Sequence, residues 1–157
     1  MLATLCALGG CGDDGGTSRP DARADETAVR KVLSEALDAL YEGDGRRACS
    51  LYTSSYRREL VKENQADKSD VSARGATCEE QVKSFAPILA RFVPDRGVQV
   101  IEVEVSGDDA TAVSEFSTTR GKTRVKEFLV RRDGKWRIDG DEEPGESGRP
   151  RGGGRRP

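Results

Sequence analysis

The spacing of the apolar residues changes once along this chain, from a helical period to a period of two, and this change limits the fold more than any other feature. The first pattern has apolar residues three and four positions apart, on one stripe of a helix: Val29, Val32, Leu33, Ala36, Leu37, Leu40 and Tyr41. After Pro94, apolar residues alternate with polar ones, as in the run 101–105. The sequence therefore predicts helices first and strands second, which is an α+β order.

Capping residues mark the helix boundaries. Gly43 ends the first helix and Asp44 is placed to cap the next, so residues 45–64 should form one or two shorter helices. Thr77 and Glu80 form a capping box at the start of a later helix. Within that helix Pro87 predicts a kink or a break, because proline removes an amide donor and clashes with the preceding turn. The polar segment 63–75 interrupts the helical period.

Short turns separate the strands. Turn sequences at 106–109 and 120–122 divide the alternating region, and Asp133-Gly134 is a strong signal for a two-residue hairpin turn. Val98 and Val100 are out of phase with Ile101, which predicts a β-bulge or a late start of the first strand. Because turns this short join antiparallel neighbours, the strands should form a four-stranded meander.

The amino terminus combines an apolar run, residues 1–8, with Gly9, Gly10 and Cys11 and then a stretch rich in Gly and Asp. The order Leu8-Gly9-Gly10-Cys11 resembles the lipobox of bacterial lipoprotein signals. The resemblance implies a signal peptide at 1–10, lipidation of Cys11, a tether at 11–24, and a domain anchored on the extracytoplasmic face of the cell membrane. The alternative is an apolar terminus with a chance Gly-Gly-Cys. Because a leader wants basic residues and none precedes Cys11, we expect translation to begin upstream.

Cysteine usage agrees with export. With Cys6 in the leader and Cys11 as the lipidation site, Cys49 and Cys78 remain in the domain. A pair in an oxidising compartment predicts a disulfide, with two buried free thiols as the alternative. No metal site is expected, because the chain has no His and too few Cys.

Composition fits one exported domain at 25–140. The chain is 34% apolar and 34% charged with a formal net charge of -2, which gives no indication of nucleic-acid binding. Arginine pairs such as Arg57-Arg58 and Arg131-Arg132 are interpreted as a compositional bias more than as a binding site. Residues 141–157 are rich in Gly and Arg and offer nothing to bury, so we expect a disordered basic tail.

Four motifs of the domain together resemble the NTF2-like (SnoaL-like) cone fold. They are the amphipathic first helix, the Gly-Asp-Gly-x-x-Ala-Cys-Ser-Leu run at 43–51, the Thr-Cys-Glu-Glu start at 77–80, and Asp-Gly-Lys-Trp-Arg-Ile at 133–138. More narrowly, they resemble exported lipoproteins of that fold from actinobacteria. The resemblance implies N-terminal helices packed on a curved antiparallel four-stranded sheet, often with a pocket inside the cone.

The resemblance leaves two functions open. The first is a non-catalytic module that binds a small apolar ligand or another envelope protein, with a pocket lined by Tyr41, Tyr52, Phe128 and Trp136, although aromatic residues at such positions also form ordinary cores. The second is an isomerase or hydratase for a small hydrophobic substrate, which would need acids such as Asp38, Glu115 or Glu127 inside the cone.

The absence of catalytic motifs from the sequence favours the first function, the binding module. The strand acids alternate with apolar residues and are expected on the solvent side: Glu102, Glu104, Glu115 and Glu127. The sequence has no phosphate loop, no nucleophile elbow and no His for a catalytic triad. We therefore expect a lipid-anchored binding module that has no enzymatic activity and needs no cofactor.

Overall fold

The computed structural model of the chain describes residues 20–66, 77–94, 96 and 98–142. The predicted leader, the lipidation site Cys11, most of the tether and all but the first two residues of the basic tail lie outside the described residues, as does most of the polar segment 63–75.

Four helices precede four strands in the described part of the chain: α1 (Pro20–Glu42), α2 (Gly45–Ser50), α3 (Ser54–Ala66), α4 (Cys78–Phe92), β1 (Val98–Ser106), β2 (Asp109–Thr118), β3 (Gly121–Arg132) and β4 (Lys135–Glu142). The strands form one curved antiparallel sheet in the order β1-β2-β3-β4. The α+β order and the four-stranded meander are confirmed.

Local predictions hold at the helix caps and differ at three positions. The capping box of Thr77 and Glu80 is present, and the side chain of Asp44 accepts from the amide of Arg47. Helix α1 begins at Pro20, inside the predicted tether, and β4 continues to Glu142. Of the kink or break predicted at Pro87, the break is wrong, because α4 runs through this residue. Pro87 lies on the exposed face, while the opposite face of α4 remains packed.

The predicted β-bulge is confirmed, but Ile101, which was expected on the inner face, is the residue that it turns outward. The pairing of β1 with β2 shifts between Val100 and Glu102. Ile101 is 42% exposed, whereas Val98, Val100, Val103 and Val105 are partly buried. The bulge therefore turns Ile101 outward, and the valines on both sides of it share the inner face of the sheet.

The core lies between α1 and the inner face of the sheet. Its buried residues include Val29, Leu33 and Ala36 from α1 and Ala112, Leu129 and Ile138 from the strands. A smaller cluster joins Leu37, Tyr41, Leu89 and Val93. Side chains of α1 thus occupy the inner face of the curved sheet.

The link between α2 and α3 lies along the outer edge of β4. The amide of Thr53 donates to the carbonyl of Ile138 over 2.9 Å, and the amide of Ile138 donates to the carbonyl of Leu51 over 2.9 Å. These bonds form a parallel bridge between Tyr52 and Ile138. They cover part of an edge strand, which would otherwise leave unpaired backbone groups, and they place the start of α3 beside the β3–β4 hairpin.

A disulfide joins Cys49 of α2 to Cys78 in the first turn of α4, which confirms the predicted pairing. Both residues are buried, and their Cα atoms lie 6.2 Å apart. The two helices also meet at Gly45, where an added Cβ would lie 2.4 Å from the carbonyl oxygen of Glu79. The corner is therefore held by a covalent bond and by a contact that only glycine allows.

Removing the disulfide should destabilise the domain by roughly 3–4 kcal/mol, because the unfolded chain regains the entropy of an open loop of about 30 residues. We expect the Cys49→Ala/Cys78→Ala double variant to show this loss in urea unfolding, measured against the oxidised protein. Two thiols that react with an alkylating reagent in the native, unreduced protein would contradict the pairing.

Candidate functional site

The four aromatic residues predicted to line one pocket lie in separate places. Tyr41 belongs to the smaller cluster, and its hydroxyl donates to the carbonyl of Val93. Tyr52 and Trp136 are buried in the main core. Phe128 is partly buried and, by strand alternation, points to the outer face, with the Lys126 Nζ 5.5 Å from its ring centroid. Tyr52 is the one of the four that lines either of the two cavities described below, and the structure does not bring the four side chains together around it.

Glu127 is on the inner face of the sheet, not on the solvent side where the alternation placed it. It pairs with Ala112 on β2 and with Asp141 on β4, and Ser114 Oγ donates to Glu127 Oε2 over 2.8 Å. Ser114 itself is fully buried. The hydroxyl of Tyr56 donates to Asp141 next to this pair. The inner face therefore carries a polar cluster of two carboxylates and two hydroxyls at one end.

Burial changes the acidity of this cluster. The pKa of Glu127 is raised to about 7, chiefly by burial and to a smaller degree by the charge of Asp141, while the hydrogen bond from Ser114 opposes the shift. Burial also raises the pKa of the Tyr52 phenol, with added effects from the charges of Asp141 and Glu127. Glu127 thus has the acidity expected of a proton-transfer group near neutral pH.

The other acids named in the sequence predictions, both the catalytic candidates and the strand acids, lie outside the cone. Asp38 is exposed on α1, and Glu102 and Glu104 are exposed on β1. Glu115 binds Lys122 Nζ over 2.5 Å and Arg124 Nε over 3.1 Å. The hydrogen bonds from these two cations lower the pKa of Glu115. Among these acids, only the expected position of Glu127 was wrong, because this residue lies on the inner face and not on the solvent side.

A cavity of about 700 Å³ opens between the start of α3 and the β3–β4 hairpin. We call it the arginine groove after its charged lining residues, which are Arg57, Arg58, Arg132, Arg137, Asp133 and Asp139. A second cavity, of about 620 Å³, shares Arg57 and Arg58 with the groove and extends along α3 to Lys62 and Glu79. Neither cavity is lined by Glu127.

No pattern in the sequence predicts the arginine groove, because its residues come from two distant parts of the chain. The bridge between Tyr52 and Ile138 brings these parts together. Neighbouring arginines at 57–58 were visible in the sequence, but no local pattern connects them with Arg132 and Arg137. A signal for Glu127 did exist, since Val125 and Leu129, two residues away on either side, share its face of β3.

The described residues contain neither a cluster of metal ligands nor a membrane-spanning helix. No group of three or more His, Cys, Asp or Glu side chains there is arranged to hold a metal ion. None of the helices that the structure describes combines the length and the apolar character needed to cross a bilayer.

Glu127 should make the stability of the domain depend on pH. A glutamate whose pKa is higher in the folded state than its usual 4.5 stabilises the fold fully below that value, and this contribution is lost as pH rises through about 7. We expect unfolding free energy to fall by up to about 3 kcal/mol from this group alone. Glu127→Gln, which keeps an oxygen to accept from Ser114, should lose that slope in urea unfolding between pH 5 and 8.

The matched control is Glu115→Gln, which replaces an acid on the neighbouring strand whose pKa is lowered. This variant should keep the slope between pH 5 and 8. Equal slopes in the wild type and in Glu127→Gln would show that the carboxyl does not titrate in this range.

Comparisons with known proteins bear on the fold. No protein-family model matches the sequence, and no curated protein matches it. A five-substitution variant of a protein named Rd1NTF2_05 has a solved structure that matches with a TM-score of 0.50 and 15% identity, over 77% of this chain and 99% of that one.

Two natural proteins match slightly less well. An NTF2-like protein of unknown function from Shewanella baltica has a TM-score of 0.49 and 16% identity, over 76% of this chain and 91% of its own. A variant of Rv3472, a protein of unknown function from Mycobacterium tuberculosis, has a TM-score of 0.49 and 18% identity, over 83% and 77%. At sequence identities this low, a structural match is informative about the fold and not about the function. Helices followed by a curved four-stranded antiparallel sheet, together with the match to Rd1NTF2_05, show that this chain has the NTF2-like cone fold.

Proposed function

We propose that this protein is an extracytoplasmic binding module, held at the cell membrane by a lipid on Cys11. The observation that carries the proposal is the Cys49–Cys78 disulfide. Structural disulfides persist in oxidising compartments and are rare in the cytosol of mesophiles. A disulfide-bonded domain that follows the order Leu8-Gly9-Gly10-Cys11 fits export and acylation together.

The cavities support binding more than catalysis. Acid or base catalysis near neutral pH needs a group with a pKa near 7 that reaches the substrate. Glu127 has such a pKa, but it lines neither the arginine groove nor the second cavity. Arginine side chains make up four of the six charged residues that line the arginine groove, and a guanidinium remains protonated at any physiological pH.

The binding site is also more polar than the sequence suggested. A small apolar ligand would need an apolar cavity, and the inner face of the sheet is already covered by α1. The arginine groove lies at the edge of the sheet and is lined by hydroxyl and charged groups. It is better suited to a polar or anionic ligand, or to a polar patch on another envelope protein.

Anchoring is tested by Cys11→Ala, expressed in the native host from the natural translation start. We expect the wild type in the membrane fraction and the variant released from it, because the thioether-linked lipid is lost. Cys6→Ala is the matched control, since Cys6 lies in the predicted leader and should leave the fractionation unchanged. A wild-type protein found outside the membrane fraction, with an unmodified Cys11 by mass spectrometry, would overturn the anchor.

A second candidate function is favoured by one observation, the raised pKa of Glu127 beside Ser114 and Asp141. A cone-fold isomerase or hydratase would use such a carboxyl as a general acid or base. It would require a movement that opens the inner face of the sheet to a small hydrophobic substrate.

Turnover assays separate the two candidates. We expect no turnover of small epoxides or ketones by the wild type, since Glu127 lines neither the arginine groove nor the second cavity. Turnover that Glu127→Gln abolishes and Glu115→Gln preserves would establish the enzyme and overturn the non-catalytic assignment.

A further inference from the structure

The arginine groove carries cationic charge that no ion pair among the described residues neutralises. Its four arginines form no ion pair within the described residues, where the ion pairs involve other cations. Arg57 Nη2 donates to Ser54 Oγ over 3.2 Å, and Arg137 donates to the carbonyl of Ser50. Arg58 and Arg132 are exposed. Four arginines thus face one cavity on a chain whose formal net charge is -2.

Neither aspartate of the groove forms an ion pair with one of its arginines. Asp139 Oδ1 accepts from Thr53 Oγ1 over 2.5 Å and from Ser55 Oγ over 3.1 Å. Asp133 is exposed in the hairpin turn, where its φ is 52°. Hydroxyls therefore hold the partly buried carboxylate, and four guanidinium groups remain against two aspartates.

Helix α3 adds to the positive potential. It begins at Ser54, on the wall of the groove, and its 13 residues direct the positive end of the helix dipole there. Guanidinium groups match the oxygens of a phosphate in a two-pronged geometry, which makes arginine a preferred phosphate ligand. A volume of about 700 Å³ is ample for a phosphate ester.

The β3–β4 hairpin, which forms one wall of the groove, lies beside the first part of α1. Near the start of α1, Asp25 Oδ1 accepts from Arg131 Nη1 over 2.8 Å, and Arg131 precedes Arg132 of the groove. Eight residues separate Cys11 from Pro20, and a segment of that length spans at most about 30 Å. A lipid on Cys11 would therefore keep this end of the domain close to the headgroups.

We propose that the arginine groove binds the phosphate of an anionic phospholipid headgroup and so docks the domain on the membrane that anchors it. The choice of a headgroup over a free phosphate rests on the proposed acylation of Cys11, because the short connection to Pro20 brings the groove to the surface. Arg58 and Arg132 on opposite walls would hold the phosphate from two sides, and the start of α3 would face it.

The test uses the full chain with Cys11→Ala, so that no acyl chain contributes to binding. Vesicles of phosphatidylcholine and phosphatidylglycerol, mixed two to one, are compared with vesicles of phosphatidylcholine alone by sedimentation. Arg58→Gln/Arg132→Gln should weaken binding to the anionic vesicles by roughly 30-fold, the loss expected for two basic residues at such a surface. Both side chains are exposed and form no ion pair with another described residue, so the fold should be retained.

The matched control is Arg46→Gln/Arg120→Gln, which removes the same charge from exposed positions outside the groove. It should bind within about threefold of the parent chain if the groove is a site, since only groove charges are desolvated against the headgroup. The carboxyl-terminal arginines are unchanged in every variant. An equal loss in both double variants would overturn the site in favour of general charge attraction.

A measurement on the unsubstituted groove locates the ligand independently. Short-chain phosphatidylglycerol, added below its micelle concentration, should shift the amide resonances of Ser54 and Ser55. If inorganic phosphate shifts them and neither the lipid nor the anionic vesicles bind, the groove is a free-phosphate site and the headgroup proposal is overturned. Absence of binding by every probe overturns it as well. Fractionation of the acylated protein is a separate readout, so failure of the anchor and failure of the groove are distinguishable.

Discussion

Packing of α1 on the inner face of the sheet is the constraint on which the rest of this structure depends. The apolar stripe of α1 meets Ala112, Leu129 and Ile138, so the region that a cone fold could leave open is occupied by core. Burial of this kind stabilises by about 25 cal/mol for each Å² of apolar surface. The two cavities described above lie instead at the edge of β4 and along α3, and the lining of the arginine groove is mostly polar.

The segment formed by α2 and the link to α3 is fixed on two sides, and these contacts give the arginine groove a defined shape. The disulfide and the close contact at Gly45 fix α2 to α4, while the backbone bonds of Leu51 and Thr53 with Ile138 fix the following link to β4. A ligand site built on such a corner needs little ordering when it binds, because its backbone is already in place.

The position of Glu127 shows how an alternating strand can be misinterpreted. Residues 125–130 carry apolar side chains on both faces, so a period of two does not identify the inner face by itself. Pairing with Ala112 and Asp141 decides it, and the result is a carboxyl with a pKa of about 7 beside a buried serine. Whether that carboxyl is structural or catalytic depends on access to the inner face, which is a property of packing and not of the strand.

The sequence by itself determined the order of helices and strands, the caps at Asp44 and Thr77, the hairpin at Asp133-Gly134, the bulge near Val100 and the pairing of Cys49 with Cys78. These features depend on the backbone preferences of neighbouring residues or, for the disulfide, on there being only two cysteines in the domain. Only the tertiary structure decided that Pro87 is tolerated, that the predicted aromatic lining does not converge, and that arginines from α3 and from the hairpin share a groove. The physical reason is that contacts between distant segments depend on how the helices pack against the sheet and against one another. For the arginine groove, the two backbone hydrogen bonds of Ile138 bring the start of α3 beside the hairpin.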